Sequence, residues 1–193
     1  MPRASAADAA RTARQVLEAA TGLFSARGYA DVSLDDIARV AGVTRGAVYH
    51  HYGSKVGLFG AVASELQSSV AAVVVDAADK AGFSGAAAQL RAGSHAFLDA
   101  ITTGASVRVL LIDAPSAIGW DAWRRLDAEN SAAHLREALQ DVGVADEHLD
   151  ATTVLLSGAM NEAALWIAQH DDPATARDSA HSALDRLLTA LAP

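Results

Sequence analysis

Thr44, Arg45, Tyr49, His50 and His51 fall within eight consecutive residues, and together they offer hydroxyls, a guanidinium and two imidazoles. Two kinds of chemistry are open to such a set. The first is metal binding through His50 and His51. Neighbours on a helix point about 100° apart, so this pair does not easily chelate one ion. The second is hydrogen bonding to the base edges and phosphates of duplex DNA, for which these side chains are suitable donors. Elsewhere, His134 and Glu137 stand three residues apart, but no third ligand follows at a sensible spacing, and His148 and Asp150 belong to another segment. The 193 residues contain no cysteine, which excludes disulfides, thiolate zinc sites and cysteine nucleophiles. No Ser/His/Asp set, phosphate loop or metal motif is present. Neither an enzymatic activity, nor a metal, nor a cofactor is expected.

Side chains of this kind need rigid elements beneath them, and the composition points to helices. Hydrophobic residues make up 51% of the chain and alanine alone supplies 46 residues, against only 4 prolines. Alanine is the best helix former and a poor strand former, so an all-α fold is expected. The N-terminus lacks the apolar core of a signal peptide, and runs such as Val70–Val75 and Ala163–Ala168 are far too short to span a bilayer. A soluble cytoplasmic protein with no membrane partner is the expectation.

Charge divides the chain unevenly. The formal net charge is −8, yet residues 1–60 carry +2 and residues 61–193 carry −10. A mildly basic contact module on an acidic body fits that division. Within the module, Val16, Ala20, Leu23 and Phe24 recur at helical spacing before Gly28. Ser33 then precedes Leu34-Asp35-Asp36 as a capping box with Asp in the usual Glu position. Leu34, Ile37, Ala38 and Ala41 form the apolar stripe of a two-turn helix that Gly42 ends. Thr44 caps the next helix, from Arg45 to about His51, and Ser54 caps a longer one.

Two short helices joined by Ala41-Gly42-Val43 have the anatomy of a helix-turn-helix, with Gly42 permitting the tight turn and Val43 filling the angle. The second helix turns Ala47 and Val48 inward and exposes Thr44, Arg45, His50 and His51, the division that a groove-reading helix requires. Residues 33–62, SLDDIARVAGVTRGAVYHHYGSKVGLFGAV, resemble the TetR/AcrR-type regulator family. The resemblance rests on Ile37-Ala38 with Ala41-Gly42-Val43, on Gly46, on Val48-Tyr49-His50-His51-Tyr52 and on Ser54-Lys55 with Leu58. It extends to the preceding helix with Phe24 and Gly28-Tyr29, so it covers about residues 11–62. Leu110–Pro115 with Gly119–Trp123, and Asn161–Ala164, are similar to segments found in some members.

That resemblance implies a homodimer that binds a palindromic double-stranded operator and is released by a small-molecule effector. It places Arg45, Gly46 and His50 at base-facing positions, and Ser33, Thr44, Tyr49, His51 and Lys55 at the DNA backbone. Arg45 is the best candidate for direct readout, since a guanidinium can bridge guanine O6 and N7. Tyr52 divides between packing and contact, and Arg11 and Arg14 between phosphates and a solvated helix end.

The fold expected is therefore all-α, with a three-helix helix-turn-helix DNA-binding domain over residues 1–53 and a larger helical ligand-binding and dimerisation domain over 54–193. Helices are expected near 54–80, 86–101, 104–113, 116–141, 147–170 and 174–191. In the second domain, Trp120, Trp123, Met160, Asn161 and Trp166, with Phe97, are the candidate lining of a pocket for a mostly apolar, planar effector. Core packing is the competing role for the tryptophans. Gly158, Ala159 and Ala163 allow close helix approach, while Ala180, Leu184, Leu187, Leu188 and Leu191 form a stripe. Together they are the candidate dimer interface, with an intramolecular core as the alternative. A helical small-molecule carrier or a small enzyme without DNA binding is the rival function. Salt-dependent binding to duplex DNA separates the two.

Overall fold

The computed structural model describes residues 6–191. Its N-terminal part is α1 (Ala6–Arg27), α2 (Leu34–Ala41) and α3 (Arg45–Tyr52). The three caps expected from the sequence hold these ends. Ser33 Oγ accepts from the Asp36 amide at 3.1 Å while Asp36 Oδ2 accepts from the Ser33 amide at 3.2 Å, a reciprocal capping box. Thr44 Oγ1 accepts from the Ala47 amide at 3.2 Å, and Ser54 Oγ from the Gly57 amide at 2.9 Å. Gly42 closes α2 with φ +67°, a left-handed value that a side chain disfavours.

Beneath these helices, Val16, Ala20, Phe24, Ile37 and Val48 are buried together with Leu58, Phe59 and Val62 of α4 (Lys55–Ala81). Phe59 meets Phe24 edge-on at 5.0 Å between centroids and Tyr29 at 4.9 Å. Each such aromatic pair contributes about 0.5–1.5 kcal/mol beyond simple burial. This helix then continues into the C-terminal body, so one buried cluster runs from Val16 to Leu188 without a linker between its halves. The same helix therefore packs against both α1 and α3 and the body. The stretch Lys55–Ser84 is long and apolar enough to cross a membrane, with a mean hydropathy of 1.6. Reading isolated apolar runs misses this, because Gly57, Gly60, Ser64-Glu65, Gln67–Ser69 and Asp76 keep every run short. In the fold that stretch is the central strut, packed against α1 and, later in the chain, against the helices Ala86–Ile101, Trp120–Ala128 and Ser131–Val142.

A single 3₁₀ turn (Gly82–Ser84) leads to α5 (Ala86–Ile101). A π-helix follows over Val107–Asp113 and runs directly into α6 (Ala114–Ala117). The sequence suggested a break at Pro115, but the chain stays helical through it for a specific reason. The Ala114 amide donates to Val109 O, five residues back, so the next amide in that register would donate to Leu110 O. Pro115 has no amide hydrogen. The Trp123 indole takes the vacant place, donating from Nε1 to Leu110 O at 2.7 Å.

The expected single helix 116–141 is instead α7 (Trp120–Ala128) and α8 (Ser131–Val142), divided at Glu129-Asn130. Asn130 Nδ2 donates back to Leu126 O at 2.8 Å, a local side-chain bond that competes with continuing the helix. Finally α9 (Asp146–Gln169) and α10 (Pro173–Leu191) form an antiparallel pair. Asp172 caps α10 by accepting from the Thr175 amide at 3.2 Å, with Pro173 in the first helical position. His95 of α5 bonds Asp185 of α10 at 2.7 Å and stacks on His181 at 4.2 Å, tying α10 to α5.

Candidate nucleic-acid interface and cavity

On α3, Val48 is buried and Ala47 half-buried, while Thr44, Arg45, Gly46, Tyr49 and His50 are exposed. This face brings the three base-facing candidates together with two of the backbone candidates. The cap fixes the hydroxyl oxygen of Thr44 at the start of the helix. Gly46 has open space around it: a Cβ there would meet only Thr44 Oγ1, at 3.8 Å. Arg45 Nη1 donates to Asp35 Oδ2 at 2.9 Å, and its guanidinium lies 6.0 Å from the Tyr49 ring centroid. Both partners of that ion pair are more than half exposed, so it is worth little and exchanges easily for another acceptor.

His51 and Tyr52 are half-buried. Tyr52 serves packing: its hydroxyl donates to Ala13 O at 2.8 Å and so fastens α3 to α1. Lys55 extends its ammonium over the Tyr29 ring at 4.3 Å and reaches Ala30 O at 3.3 Å. It thereby lies at the rim of a shallow hollow shared with Ser33, Asp35, Arg45 and Tyr49. Asp36, which also lines that hollow, has its carboxyl lowered to about 2, first by the Ser33 hydroxyl and then by Arg39. The Ser33 amide is thus already engaged by the protein's own acid, and the Asp36 amide by the Ser33 hydroxyl.

The sequence reading overlooked the joint between this module and the body. The Tyr29 amide donates to Asp113 Oδ2 at 2.8 Å, and Arg108 donates to Arg27 O at 3.2 Å. Gly28 sits between them at φ +83°, and a Cβ there would lie 2.3 Å from Arg108 Nη2. Two residues of the π-helix therefore grip both sides of one glycine. The only sequence sign of this was the glycine itself.

In the body, a cavity of about 350 Å³ opens between α4, α5, α8 and α9. Phe97 and Met160 line it, as expected, together with Leu90, Leu135 and Val74. The other pocket candidates lie elsewhere. Trp123 is spent on Leu110 O, Trp120 is exposed beside it with centroids 4.9 Å apart, and Asn161 is buried on α9 but does not line the cavity. Trp166 borders a separate apolar groove along α9 and α10.

Polar residues that the sequence reading passed over furnish the cavity. Ser94 is buried, and its Oγ has no hydrogen-bond partner among the described residues. Ser131 accepts from Gln67 Nε2 at 3.2 Å, and Ser157 donates to buried Asp127 at 3.4 Å. Burial pushes the Asp127 carboxyl up, against Arg124 at 3.3 Å and the Ser157 hydroxyl. Their signal was available: Ser94 and Gln67 are polar residues at buried positions of otherwise apolar helical stripes.

The dimer candidates also separate. Gly158 and Ala159 are exposed and Ala163 half-buried on α9. Leu184 and Leu188 are buried inside the protomer, whereas Leu187 is 54% exposed. One residue along a helix is a turn of about 100°, so the 180/184/188 stripe faces inward and Leu187 faces out. Leu191 is half-buried at the helix end.

Comparison with known proteins places this geometry in a family. Residues 16–62 match the model for bacterial regulatory proteins of the tetR family, and residues 87–191 match a tetracyclin repressor-like C-terminal domain. The transcriptional regulator SrpR of Pseudomonas putida is 46% identical over 67 residues, which cover 35% of this chain and 32% of SrpR. The chain thus spans about a third of that relative's length. A TetR-family regulator from Pectobacterium atrosepticum, whose crystal structure is known, is 31% identical over 98% of both chains, with a TM-score of 0.75. RolR, solved with resorcinol, shares the fold at 17% identity and a TM-score of 0.68, covering 95% of this chain and 90% of its own. Matched in both parts by the family's models and along nearly all its length by a solved member, this chain belongs to the TetR family of bacterial transcriptional regulators.

Proposed function

We propose that the chain is a soluble cytoplasmic repressor, without enzymatic activity, that binds a palindromic operator as a homodimer and leaves it when a small molecule enters the cavity. The observation that carries the reading is the exposed face of α3. There Arg45, Gly46 and His50 project together on a helix whose opposite side is buried. Arg45 reads a guanine by exchanging Asp35 for O6 and N7. Gly46 lets the backbone approach the groove, and Thr44, Tyr49, His51, Ser33 and Lys55 meet phosphates.

The dimer forms through α9 and α10. Exposed Leu155, Trp166 and Leu187, with Ala159 and Ala163 between them, make an apolar face that buries against its symmetry mate. Two copies then space their α3 helices about 34–36 Å apart, one turn of B-DNA. An effector in the cavity acts by favouring a different spacing, through its differential affinity for the two states. The clamp of Arg108 and Asp113 on Gly28 carries that change to the DNA-binding part. RolR, of the same fold, holds resorcinol, which supports a small-molecule effector here.

Selection of bound sequences from random duplex DNA, followed by a salt titration of the winner, tests this. A palindrome with half-sites about one helical turn apart and a steep salt slope is the expected result. Binding with no sequence preference, or none at all, removes the repressor reading in favour of a ligand carrier.

A further inference from the structure

We infer that the cavity selects a cationic ligand: an apolar-bodied molecule carrying a protonated amine, and not a carboxylate, phosphate or sulfate. The inference rests on the cavity being the effector site proposed above, and it adds the chemical class.

Three observations carry it. First, the walls are apolar and the volume of about 350 Å³ matches sites that take small organic molecules. Second, every formally charged lining residue apart from His134 is an acid. Asp79 comes from the end of α4, and Glu137 and Asp141 come from α8. Among the described residues, neither Asp79 nor Asp141 has an ion-pair partner, and Glu137 meets only His134, at 3.7 Å. No lysine or arginine among the described residues lines the cavity. The neighbouring cations are committed elsewhere, Lys80 to Asp76 at 2.5 Å and Arg136 to Asp150 at 2.9 Å. Third, the interior holds a polar atom that lacks a partner. Ser94 is 4% exposed and lines the cavity, and its hydroxyl makes no bond to any of the described residues. Native folds rarely leave such groups unpaired, so a ligand group is the partner this hydroxyl fits.

The arrangement sorts ligands by charge. An ammonium at the mouth neutralises carboxylates that otherwise repel one another, and the adjoining low-dielectric walls strengthen that attraction over its value in water. An anion at the same place meets the same carboxylates with no cation to offset them. Deeper in, Ser94 offers one hydroxyl to a single polar group, which orients the molecule along the cavity without requiring charge there.

Three probes that share one ring system test the charge alone: 1-naphthylmethylamine, 1-naphthylmethanol and 1-naphthoate, titrated calorimetrically against the intact protein near neutral pH. The amine is expected to bind at least tenfold tighter than the alcohol, and the naphthoate more weakly than either. In Glu137→Gln/Asp141→Asn, two exposed substitutions that leave the core intact, the preference of amine over alcohol should fall to within about twofold. Ala138→Phe, or Ala78→Phe if the first variant folds poorly, fills the cavity and should abolish binding of all three.

Equal binding of the three probes, or tightest binding of the naphthoate, overturns the cation preference while leaving the cavity a binding site. Binding of none, or binding indifferent to the filled cavity, overturns the site and the preference together. The effector reading has a separate readout. If the amine binds in the cavity but leaves operator affinity unchanged, the charge inference stands and the effector role fails.

Discussion

The DNA-binding module and the helical body use polar residues in opposite ways. In the module, the capping side chains bond their own helix ends over three residues, as Ser33, Thr44 and Ser54 do. Thr44, Arg45, Tyr49 and His50 face outward at α3, while Tyr52 turns back to α1. In the body, they bond across long stretches of sequence. Gln67 reaches Ser131, Asp127 reaches Ser157, and Asp113 reaches Tyr29. Local bonds build a surface that displays its chemistry, whereas distant bonds build an interior that conceals it. The proposed function needs both, since under it one part meets a rigid polymer and the other encloses a small molecule.

The largest test of this contrast lies on α10. Leu184→Glu should place a charge inside the protomer and prevent folding, while Leu187→Glu should leave the protomer folded and yield monomers in sedimentation. Equal behaviour of the two variants would erase the distinction between an inner and an outer stripe. Next in size is Phe59→Ala, which removes the ring that joins Phe24 and Tyr29 across the two parts. A loss of about 3–5 kcal/mol in chemical denaturation is expected. It should come as a single transition seen by probes in both parts, because the core is continuous.

Smaller effects distinguish contact from support. Arg45→Ala should cost about 1–3 kcal/mol in operator binding and relax the preference at one base pair per half-site. Denaturation should be unaltered, since the Asp35 pair is exposed. An unchanged base preference would take Arg45 out of the reading role.

The finest test is pH, where one aspartate from each region should act with opposite sign. Asp36 is lowered to about 2 from 3.8, so it stabilises the fold above its unfolded value. That contribution is lost as pH falls through about 2. Asp127 is raised, so its contribution is full below its unfolded value and is lost as pH rises through its folded value. In thermal melts across pH, Asp36→Asn should flatten the acid limb. Asp127→Asn should remove a decline on the rising side. Slopes of the same sign would contradict the burial that raises one carboxylate and the hydrogen bonds that lower the other.

The sequence was legible wherever structure is local. The capping box at Ser33, the left-handed Gly42 and the exposed face of α3 follow from residues within a turn of each other. The all-α fold follows from alanine and periodicity. Trp123 was not legible: its type suggested a pocket wall, and only the vacancy left by Pro115 explains its place. Leu184 and Leu187 could not be assigned to faces either, because a single helix with apolar residues at both positions does not say which neighbour is its own chain. Ser94 needed the opposing helices before it could be recognised as facing a cavity.

The π-helix has one more consequence. On an α-helix, residues five apart point about 140° from each other, since five steps of about 100° overshoot a full turn. Arg108 and Asp113 are five apart. Hydrogen bonds from each residue to the one five before it bring such a pair onto nearly the same side, and only then can both reach the Gly28 loop. Pro115 cannot hand the chain back to the tighter winding there without pressing its ring on the carbonyl four residues before it. Trp123 fills the bond that the wider winding leaves open. A proline and a tryptophan that lie outside both α3 and the cavity lining thus set the winding number on which the grip between the two halves depends.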